Sequence, residues 1–177
     1  MESMGGPLIA LPVSTLASWS GYTESGLMAG DVAAPDDYAR ACAVEGLAGV
    51  IPDDENGAQA LVLADEPATS CYLPQHRAFL RWLAAETGAG LSAAGNAVLA
   101  DPATVGEECG MWTSDGPAVL MDSAEAGSDL SIEYPGGGMP AQAAVPLPVG
   151  RWRVRVTQTK VDEENWVGLV QLLPVES

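Results

Sequence analysis

Basic residues are scarce in this chain. Seven lysines and arginines stand against 24 aspartates and glutamates in 177 residues, so the formal charge at pH 7 is −17. A negative field of this size repels nucleic acid and anionic lipid, and it accelerates association with positively charged molecules. The composition therefore excludes nucleic acid and membrane as expected partners and favours a basic protein partner.

Histidine and cysteine are also rare, which limits the chemistry open to the chain. There is one histidine, His76, and the three cysteines, Cys42, Cys71 and Cys109, are far apart. A zinc site needs three or four close ligands, so no metal is expected. No spacing indicates a disulfide framework, and we expect reduced, buried thiols. The glycines at 136–138 precede neither a lysine nor a helix start, and no cofactor is predicted.

Long apolar runs are missing as well. No stretch approaches the roughly 18 apolar residues of a membrane span. The first seven residues carry no positive charge and the apolar run Leu8–Val13 is short, which argues against a signal peptide. With 47 % hydrophobic residues, the chain has enough apolar side chains for a folded core. We expect a single cytoplasmic domain over residues 1–177.

Short apolar runs predict strands in the first part of the chain, and period-two patterns predict strands from Cys109 onward. The cleanest is 151–161, where Trp152, Val154 and Val156 alternate with Arg151, Arg153 and Arg155. The other predicted strands cover 8–13, 49–52, 58–64, 70–73, 109–113, 117–121, 130–134 and 166–173. The segment 135–148, rich in proline and glycine, is predicted to be an irregular connector.

Two to three helices are predicted in the first two-thirds of the chain. The first begins at Asp36 and Asp37, whose carboxylates favour a helix N-terminus, and ends at Gly46. The second begins at Pro74, with Phe79, Leu80, Trp82 and Leu83 facing inward and Arg77, Arg81 and Glu86 facing outward. The third runs from about Ser92 to Ala100. Together these elements predict an α+β fold whose antiparallel sheet is strongest in the C-terminal part.

Acidic clusters are the predicted partner-binding residues. Through residue 66 the chain has 11 acidic residues and one basic residue, Arg40. Two acidic turns and one helix start carry adjacent carboxylates, and neither turn has the spacing of a calcium loop. The candidate contacts are Asp53, Asp54 and Glu55; Asp162, Glu163 and Glu164; and Asp36 and Asp37.

Among the tryptophans, Trp82, Trp152 and Trp166 fall at apolar positions of periodic elements and are predicted to be core residues. Trp19 and Trp112 are less constrained, and either is a candidate for an exposed interface anchor, because tryptophan is enriched at interface hot spots. We take Trp112 as the further candidate contact. The arginines of 151–155 are expected to pair with carboxylates across the sheet.

Catalytic signatures are weak. Cys71 and His76 could form a thiol–imidazole pair, but no orienting Asn or Asp accompanies them. No Gly-x-Ser-x-Gly motif occurs, and 24 acidic residues make any carboxylate pair uninformative. No catalytic residue is predicted, and an uncharacterised hydrolase is the least favoured alternative.

Several motifs together resemble the immunity protein 21 family. They are Met4-Gly5-Gly6-Pro7-Leu8, the run 37–42 before Gly46, Asp65-Glu66-Pro67-Ala68-Thr69 with Cys71-Tyr72-Leu73-Pro74, Phe79-Leu80-Arg81-Trp82, Gly150–Arg155 and Asn165–Val170. The resemblance covers about Gly5 to Pro174, and none of these motifs encodes a reaction.

The resemblance implies a bacterial antitoxin, mostly of actinomycetes, that binds a cognate polymorphic toxin domain and blocks it without catalysis. The acidic charge agrees with a basic, nucleic-acid-cleaving toxin. An acidic nucleic-acid mimic or regulatory binding protein is the main alternative. The oligomeric state stays open.

Overall fold

Ten strands form two antiparallel sheets in the computed structural model, which describes residues 1–23, 35–52, 59–64 and 67–175. Sheet 1 has the strand order β2-β3-β1-β7-β8, and sheet 2 has the order β4-β5-β10-β9-β6. The strands are β1 (Leu8–Pro12), β2 (Gly49–Pro52), β3 (Gln59–Leu63), β4 (Ser70–Leu73), β5 (Ala78–Ala84), β6 (Glu107–Ser114), β7 (Ala118–Asp122), β8 (Gln142–Val145), β9 (Gly150–Lys160) and β10 (Trp166–Pro174).

The two sheets pack face to face around the main hydrophobic core. Leu61 and Leu120 of sheet 1 meet Phe79, Trp112 and Val154 of sheet 2 in this core. Along β9 the alternation expected from the sequence is confirmed, because Trp152, Val154 and Val156 face inward while the arginines between them face outward. The α+β class with antiparallel pairing is therefore confirmed, with two sheets in place of one.

Helices cover the outer faces of both sheets. Helix α1 (Asp37–Cys42) and the 3-10 segments Val13–Ser18 and Gly127–Asp129 lie over sheet 1. Helix α2 (Gly88–Ala100) packs on sheet 2 through an apolar stripe, Leu91, Ala94 and Val98, against Leu80, Val167 and Leu169. Helix α2 begins earlier than predicted because the side chain of Thr87 caps it by accepting a hydrogen bond from Gly90 N at 3.0 Å.

The helix predicted from Pro74 is wrong. A turn occupies this position and leads into β5, which pairs with β4 and β10. Phe79 faces the core between the sheets, and Leu80 faces α2. A strand buried on both faces shows a continuous apolar run, which periodicity alone does not distinguish from a helix.

Arg81 of β5 was predicted to face solvent, and that prediction is also wrong. Its side chain is buried, and its Nη1 donates hydrogen bonds to the carbonyl oxygens of Leu47 at 3.2 Å and Ala64 at 2.5 Å. Both acceptors belong to the chain around β2 and β3 of sheet 1. Arg81 therefore ties the two sheets together through charge-assisted hydrogen bonds.

Two predictions for the segment 130–148 are wrong. Residues 130–134 form turns in place of a strand, with Leu130 buried against sheet 1. The supposed irregular connector contains β8, whose Gln142 donates from Nε2 to the carbonyl of Leu130 at 3.0 Å. The prolines that flank β8 are tolerated because β8 is an edge strand.

The cysteines are free thiols among the described residues, but the expectation that they are buried is wrong. Cys42 and Cys71 are exposed and Cys109 is half-buried.

The packing of the 3-10 segments gives a test of this fold. A Cβ built on Gly127 would lie 1.8 Å from the carbonyl oxygen of Leu16, whereas one on Gly136 would have nothing within 4 Å. Because backbone cannot move aside cheaply, we expect Gly127→Ala to lower the free energy of unfolding by about 3 kcal/mol. Gly136→Ala is the matched control and should leave it within about 0.5 kcal/mol. Urea titrations of both variants measure the difference, and equal midpoints would contradict this packing.

Candidate partner-binding surface

The outer layer of sheet 1 consists of residues 1–7, 13–23, 35–46 and 123–141, held on the sheet by a second hydrophobic core. Trp19 is central to this core, being 5 % exposed, and its Nε1 donates to the carbonyl of Ser123 at 2.9 Å. Leu130 and Met121 pack in the same cluster. Trp19 is therefore a core residue, and its proposed exposure from the sequence is wrong.

Asp36 is the N-cap of α1. Its Oδ1 accepts from Ala39 N at 2.8 Å, and its Oδ2 accepts from Thr23 N at 3.0 Å. Burial raises the pKa of Asp36, but these hydrogen bonds outweigh it and leave the pKa below its ordinary value. The helix start predicted at this position is confirmed, and its carboxylate is fixed in place.

Asp37 is fixed in a similar way. Its Oδ2 accepts from Ser20 N at 2.7 Å, and its Oδ1 forms an ion pair with Arg40 Nη1 at 3.0 Å. The two neighbouring carboxylates thus hold the segment around 20–23 against α1. Both side chains are half-buried, so this acidic pair lies at the surface in a set geometry.

Tyr22 and Tyr38 lie beside Asp36, and Tyr134 lies beside Glu125. The rings of Tyr22 and Tyr38 meet edge to face with centroids 6.1 Å apart. Tyr134 donates from its hydroxyl to Glu125 Oε1 at 2.7 Å, and this hydrogen bond raises the pKa of Tyr134 to about 12. Tyrosine offers contact area at a low entropic cost and is enriched at interfaces.

Exposed apolar side chains also occur in the outer layer. Met4 is 80 % exposed and Tyr22 is 45 % exposed, with Ile132 and Met139 more than half exposed. Sequence reasoning missed these residues and the tyrosines, because they come from four segments that only the fold brings to one layer. No local motif marks them.

Charged residues divide unequally between the two halves of the sandwich. The described residues within 1–64 and 115–149, which form sheet 1 and its outer layer, include nine acidic residues and one basic residue, Arg40. The described residues within 67–114 and 150–175, which form sheet 2 and α2, include seven acidic and six basic residues. Most of the described negative surplus therefore belongs to the sheet 1 half.

The second predicted cluster, Asp162 to Glu164, forms the exposed turn between β9 and β10. Hydrogen bonds from the side chain of Asn165 and from the backbone N–H groups of Glu164 and Asn165 hold the pKa of Asp162 below its ordinary value. Trp166, next to this turn, is 44 % exposed, so its predicted place in the core is wrong. The register of β10 against β5 shifts between Trp166 and Val167.

The remaining predicted contacts have different outcomes. Asp53, Asp54 and Glu55 lie outside the described residues. Trp112 is fully buried between the sheets, and its Nε1 donates to the carbonyl of Gln59 at 2.9 Å. The prediction of an exposed anchor at Trp112 is therefore wrong, because this large apolar side chain fills the core.

The arginines of β9 find different partners. Arg153 pairs with Glu108 of the neighbouring strand β6, with Nε and Oε1 3.1 Å apart. Arg155 donates to the amide oxygen of Gln171 on β10, at 2.7 Å from Nη2. The expected cross-strand ion pairing thus holds at Arg153.

Cys71 and His76 do not form a catalytic pair. Cys71 lies on β4 opposite Leu80, and His76 lies in the turn that follows this strand. No hydrogen bond joins the two side chains. Although Cys71 is exposed, partial desolvation raises the pKa of its thiol, which disfavours the thiolate. Within the described ranges no group of three or more His, Cys, Asp or Glu could hold a metal ion.

The capped helix start predicts a pH-dependent contribution to stability. Asp36 has a lower pKa in the folded chain than its ordinary value, so it stabilises the fold above that value, and the contribution is lost as the pH falls through the folded pKa. We expect Asp36→Ala to lower the free energy of unfolding by about 1 kcal/mol at pH 7. The loss should shrink between about pH 5 and pH 2.

The exposed Glu133→Ala variant is the control for this measurement. Chemical denaturation at several pH values gives both curves. A loss in Asp36→Ala that does not change with pH would show that the charge of Asp36 contributes nothing.

No helix among the described residues is long and apolar enough to cross a membrane. Curated proteins and solved structures give no significant match. The model of one family, described as immunity protein 21, matches residues 1–165. Since this match covers nearly all of the 177 residues, the chain belongs to the immunity protein 21 family.

Proposed function

We propose that this protein neutralises a cognate polymorphic toxin domain in the bacterial cytoplasm by binding it through the outer layer of sheet 1, and that it catalyses no reaction itself. Family membership supports a toxin-immunity role. We choose this surface because negative charge is concentrated there: the described residues of the sheet 1 half include nine acidic residues and one basic residue. A basic partner is steered towards that half by the field.

The outer layer combines the features of a tight interface. The carboxylates of Asp36 and Asp37 are held by hydrogen bonds before any partner arrives. Preorganised groups lose less entropy on binding, which leaves more of the interaction energy for affinity. Tyr22 and Met4 supply exposed apolar contact beside these charges.

A groove beside α1 gives this layer a concave feature. It has a volume of about 520 Å³ and is lined by Gly5, Gly6, Pro7, Cys42 and Glu45 among others. Glu45 is exposed at this groove, and Glu2 precedes the glycines that line it. A basic side chain of a toxin would fit here because Glu45 supplies the opposite charge.

The acidic turns are proposed as further contacts. Glu163 and Glu164 are exposed, and no hydrogen bond or ion pair to another described residue engages their carboxylates. The carboxylate of Asp162 in the same turn accepts a hydrogen bond from the side-chain amide of Asn165. Asp53, Asp54 and Glu55 belong to the same proposal by their charge alone. A toxin that acts on nucleic acid fits such a protein, because its substrate groove has to be basic.

The test is binding to the toxin encoded beside the gene for this chain. The double variant Glu2→Lys/Glu45→Lys reverses two exposed charges of the outer layer. The double variant Glu86→Lys/Asp101→Lys makes the same change in net charge at two exposed positions that flank α2 on the sheet 2 half. We expect the first pair to slow association on the order of tenfold at low salt and the second to change it little. The difference should shrink at high salt.

A third pair, Glu163→Lys/Glu164→Lys, tests the turn between β9 and β10. Surface plasmon resonance measures the association rates, and growth during co-expression with the toxin measures protection. If the unaltered chain neither binds the toxin nor protects cells, the proposed function is wrong. If all three pairs slow association equally, net charge and not the outer layer governs binding.

A further inference from the structure

The edge of sheet 2 is open beyond the start of β6. Strand β6 pairs with β9 only as far as Val156, which lies opposite Glu107. On its other edge β9 is paired with β10 as far as Lys160. The last residues of β9 therefore have a strand neighbour on one side only among the described residues.

Hydrogen bonds at the two ends of β9 reveal which of its residues bond β10. At one end Val175 N donates to the carbonyl of Arg151 at 3.0 Å. At the other end Val161 N donates to the carbonyl of Asn165 at 2.8 Å. Both pairs continue the register of β10 on β9. Since opposite residues of an antiparallel pair exchange hydrogen bonds at every second position, the odd-numbered residues of β9 are the ones that bond β10.

Gln158 and Lys160 consequently direct their backbone N–H and C=O groups to the open edge. Both residues are exposed, and at that edge their backbones have no hydrogen-bond partner among the described residues. A row of unpaired N–H and C=O groups on a sheet edge is a template for a further strand.

Gly106 allows the chain to leave the sheet edge just before β6. A Cβ at this position would lie 2.6 Å from Arg155 Cγ and 2.8 Å from the carbonyl oxygen of Val156. The backbone of Gly106 therefore passes close to β9 where a side chain would not fit. Thr157 Oγ1 donates to the carbonyl of Val105 at 3.5 Å, which holds the departing loop beside the strand.

A groove of about 460 Å³ accompanies the open edge. One wall is β9 from Thr157 onward, and the other consists of the end of α2 and the loop that follows it. Val105 of this loop is 86 % exposed and Val161 is 38 % exposed, so both offer apolar contact. Backbone hydrogen bonds combined with contacts for alternate side chains are the means by which proteins bind an extended peptide as an added strand.

Negative charge surrounds this groove. Asp101 lines it and follows the C-terminus of α2, which carries a partial negative charge of its own. Glu107 lies at one end of the open edge, and Asp162 begins the acidic turn at the other end. Lys160 is the one basic residue among the described residues that line the groove. The complementary segment is therefore basic.

The pleat decides which side chain of an added strand faces α2. Thr159 lies opposite Val167 of β10, and Val167 packs on α2. Residues directly opposite each other in neighbouring strands share a face of the sheet. The residue added opposite Thr159 therefore faces the side of the sheet on which α2 and Asp101 lie.

A second copy of this chain does not fit the edge. An antiparallel pair of β9 strands centred on Thr159 would place Asp162 of each copy opposite Val156 of the other, where Glu107 already lies. A pair centred on Lys160 would place two lysines directly opposite each other, which is destabilising. The occupant is thus a different protein.

We propose that the open edge of β9 binds an extended basic segment of a partner protein, which adds to sheet 2 as a strand antiparallel to β9. Two residues of the segment exchange backbone hydrogen bonds with Gln158 and Lys160. The residue between them carries a basic side chain towards Asp101, and apolar residues flank this group of three. The groove belongs to the sheet 2 half, so this partner is a second one, and the inference does not rest on the proposed immunity function.

Amide hydrogen exchange in the free chain, followed in ¹H–¹⁵N NMR spectra, tests whether the edge is open. We expect the amides of Gln158 and Lys160 to exchange on the order of a hundredfold faster than those of Thr157 and Thr159, which bond β10. Equal protection of all four amides would mean that the edge is already covered, and it would overturn the proposal.

The binding probe is the peptide N-acetyl-Val-Thr-Arg-Thr-Val-amide, titrated into the unaltered chain. We expect it to shift the amide signals of Gln158 and Lys160 and to slow their exchange. One control peptide carries N-methyl groups on both threonine amides, which removes the donors for the edge, and it should not bind. Another has Glu in place of Arg and should bind about fivefold more weakly or worse.

Two variants of the chain locate the contact. Asp101→Asn keeps an acceptor for Ala103 N but removes the charge, so it should weaken binding of the arginine peptide about fivefold and leave a peptide with Gln in place of Arg unaffected. Gln158→Pro removes an N–H that faces the edge and no hydrogen bond to β10, so it should abolish binding. Gln158→Ala is its matched control and should bind as the unaltered chain does.

Unchanged amide signals along β10 establish that the proline variant is folded, and the N-methylated peptide tests the same hydrogen bonds in the unaltered chain. The proposal is overturned if the arginine peptide leaves the signals of Gln158 and Lys160 in place, or if the N-methylated peptide binds as well as its parent. Equal binding of the Arg and Glu peptides overturns the assignment to a basic segment.

Discussion

Burial of central strands on both faces, as in β1 and β10, is the constraint on which the rest of this structure depends. All five residues of β1 are buried, and β10 presents Val170 and Leu172 to one core and Val167 and Leu169 to another. An ionised carboxylate is too costly to bury without partners. Of the described carboxylates only that of Asp122 is buried, and it accepts hydrogen bonds from Met4 N at 2.7 Å and Ala124 N at 3.0 Å; the others are at least partly exposed. The surface that a partner meets follows from that exclusion.

The distribution of arginine is the other half of this arrangement. Arg81 bridges the two sheets inside the molecule, and the arginines of β9 stand on the outer side of sheet 2. Arg40 stays in the outer layer of sheet 1, where its charge is matched by Asp37. The sheet 1 half therefore keeps its negative surplus. Net charge alone gave no reason to expect this separation, because pairing across the fold depends on which strands are neighbours.

Strands with one exposed face were predictable, and strands with two buried faces were not. The alternation in β9 and the capping residue Asp36 both gave correct predictions, since each is a local pattern with a local physical cause. The sequence of β5 predicts a helix because both faces of this strand pack on apolar residues, so its sequence is a continuous apolar run. The sequence of β8 predicts a loop because it lies in a segment rich in proline and glycine. For the proposed binding surface, the acidic composition was visible in the sequence, whereas the position of Tyr22, Tyr38 and Tyr134 next to acidic side chains was not. Residues far apart in the chain become neighbours only through the sheet order.

Hydrogen bonds hold the carboxylates of Asp36 and Asp37 in place at the start of α1. These carboxylates cannot be altered without loosening the attachment of α1, so they form a fixed frame. The side chains of Met4, Ile132 and Met139 are more than half exposed, so they contribute little to the core. On the proposed binding surface, exchange of these projecting side chains changes the contacts offered to a toxin while the stability of the fold is preserved, which separates the evolution of specificity from the maintenance of the scaffold.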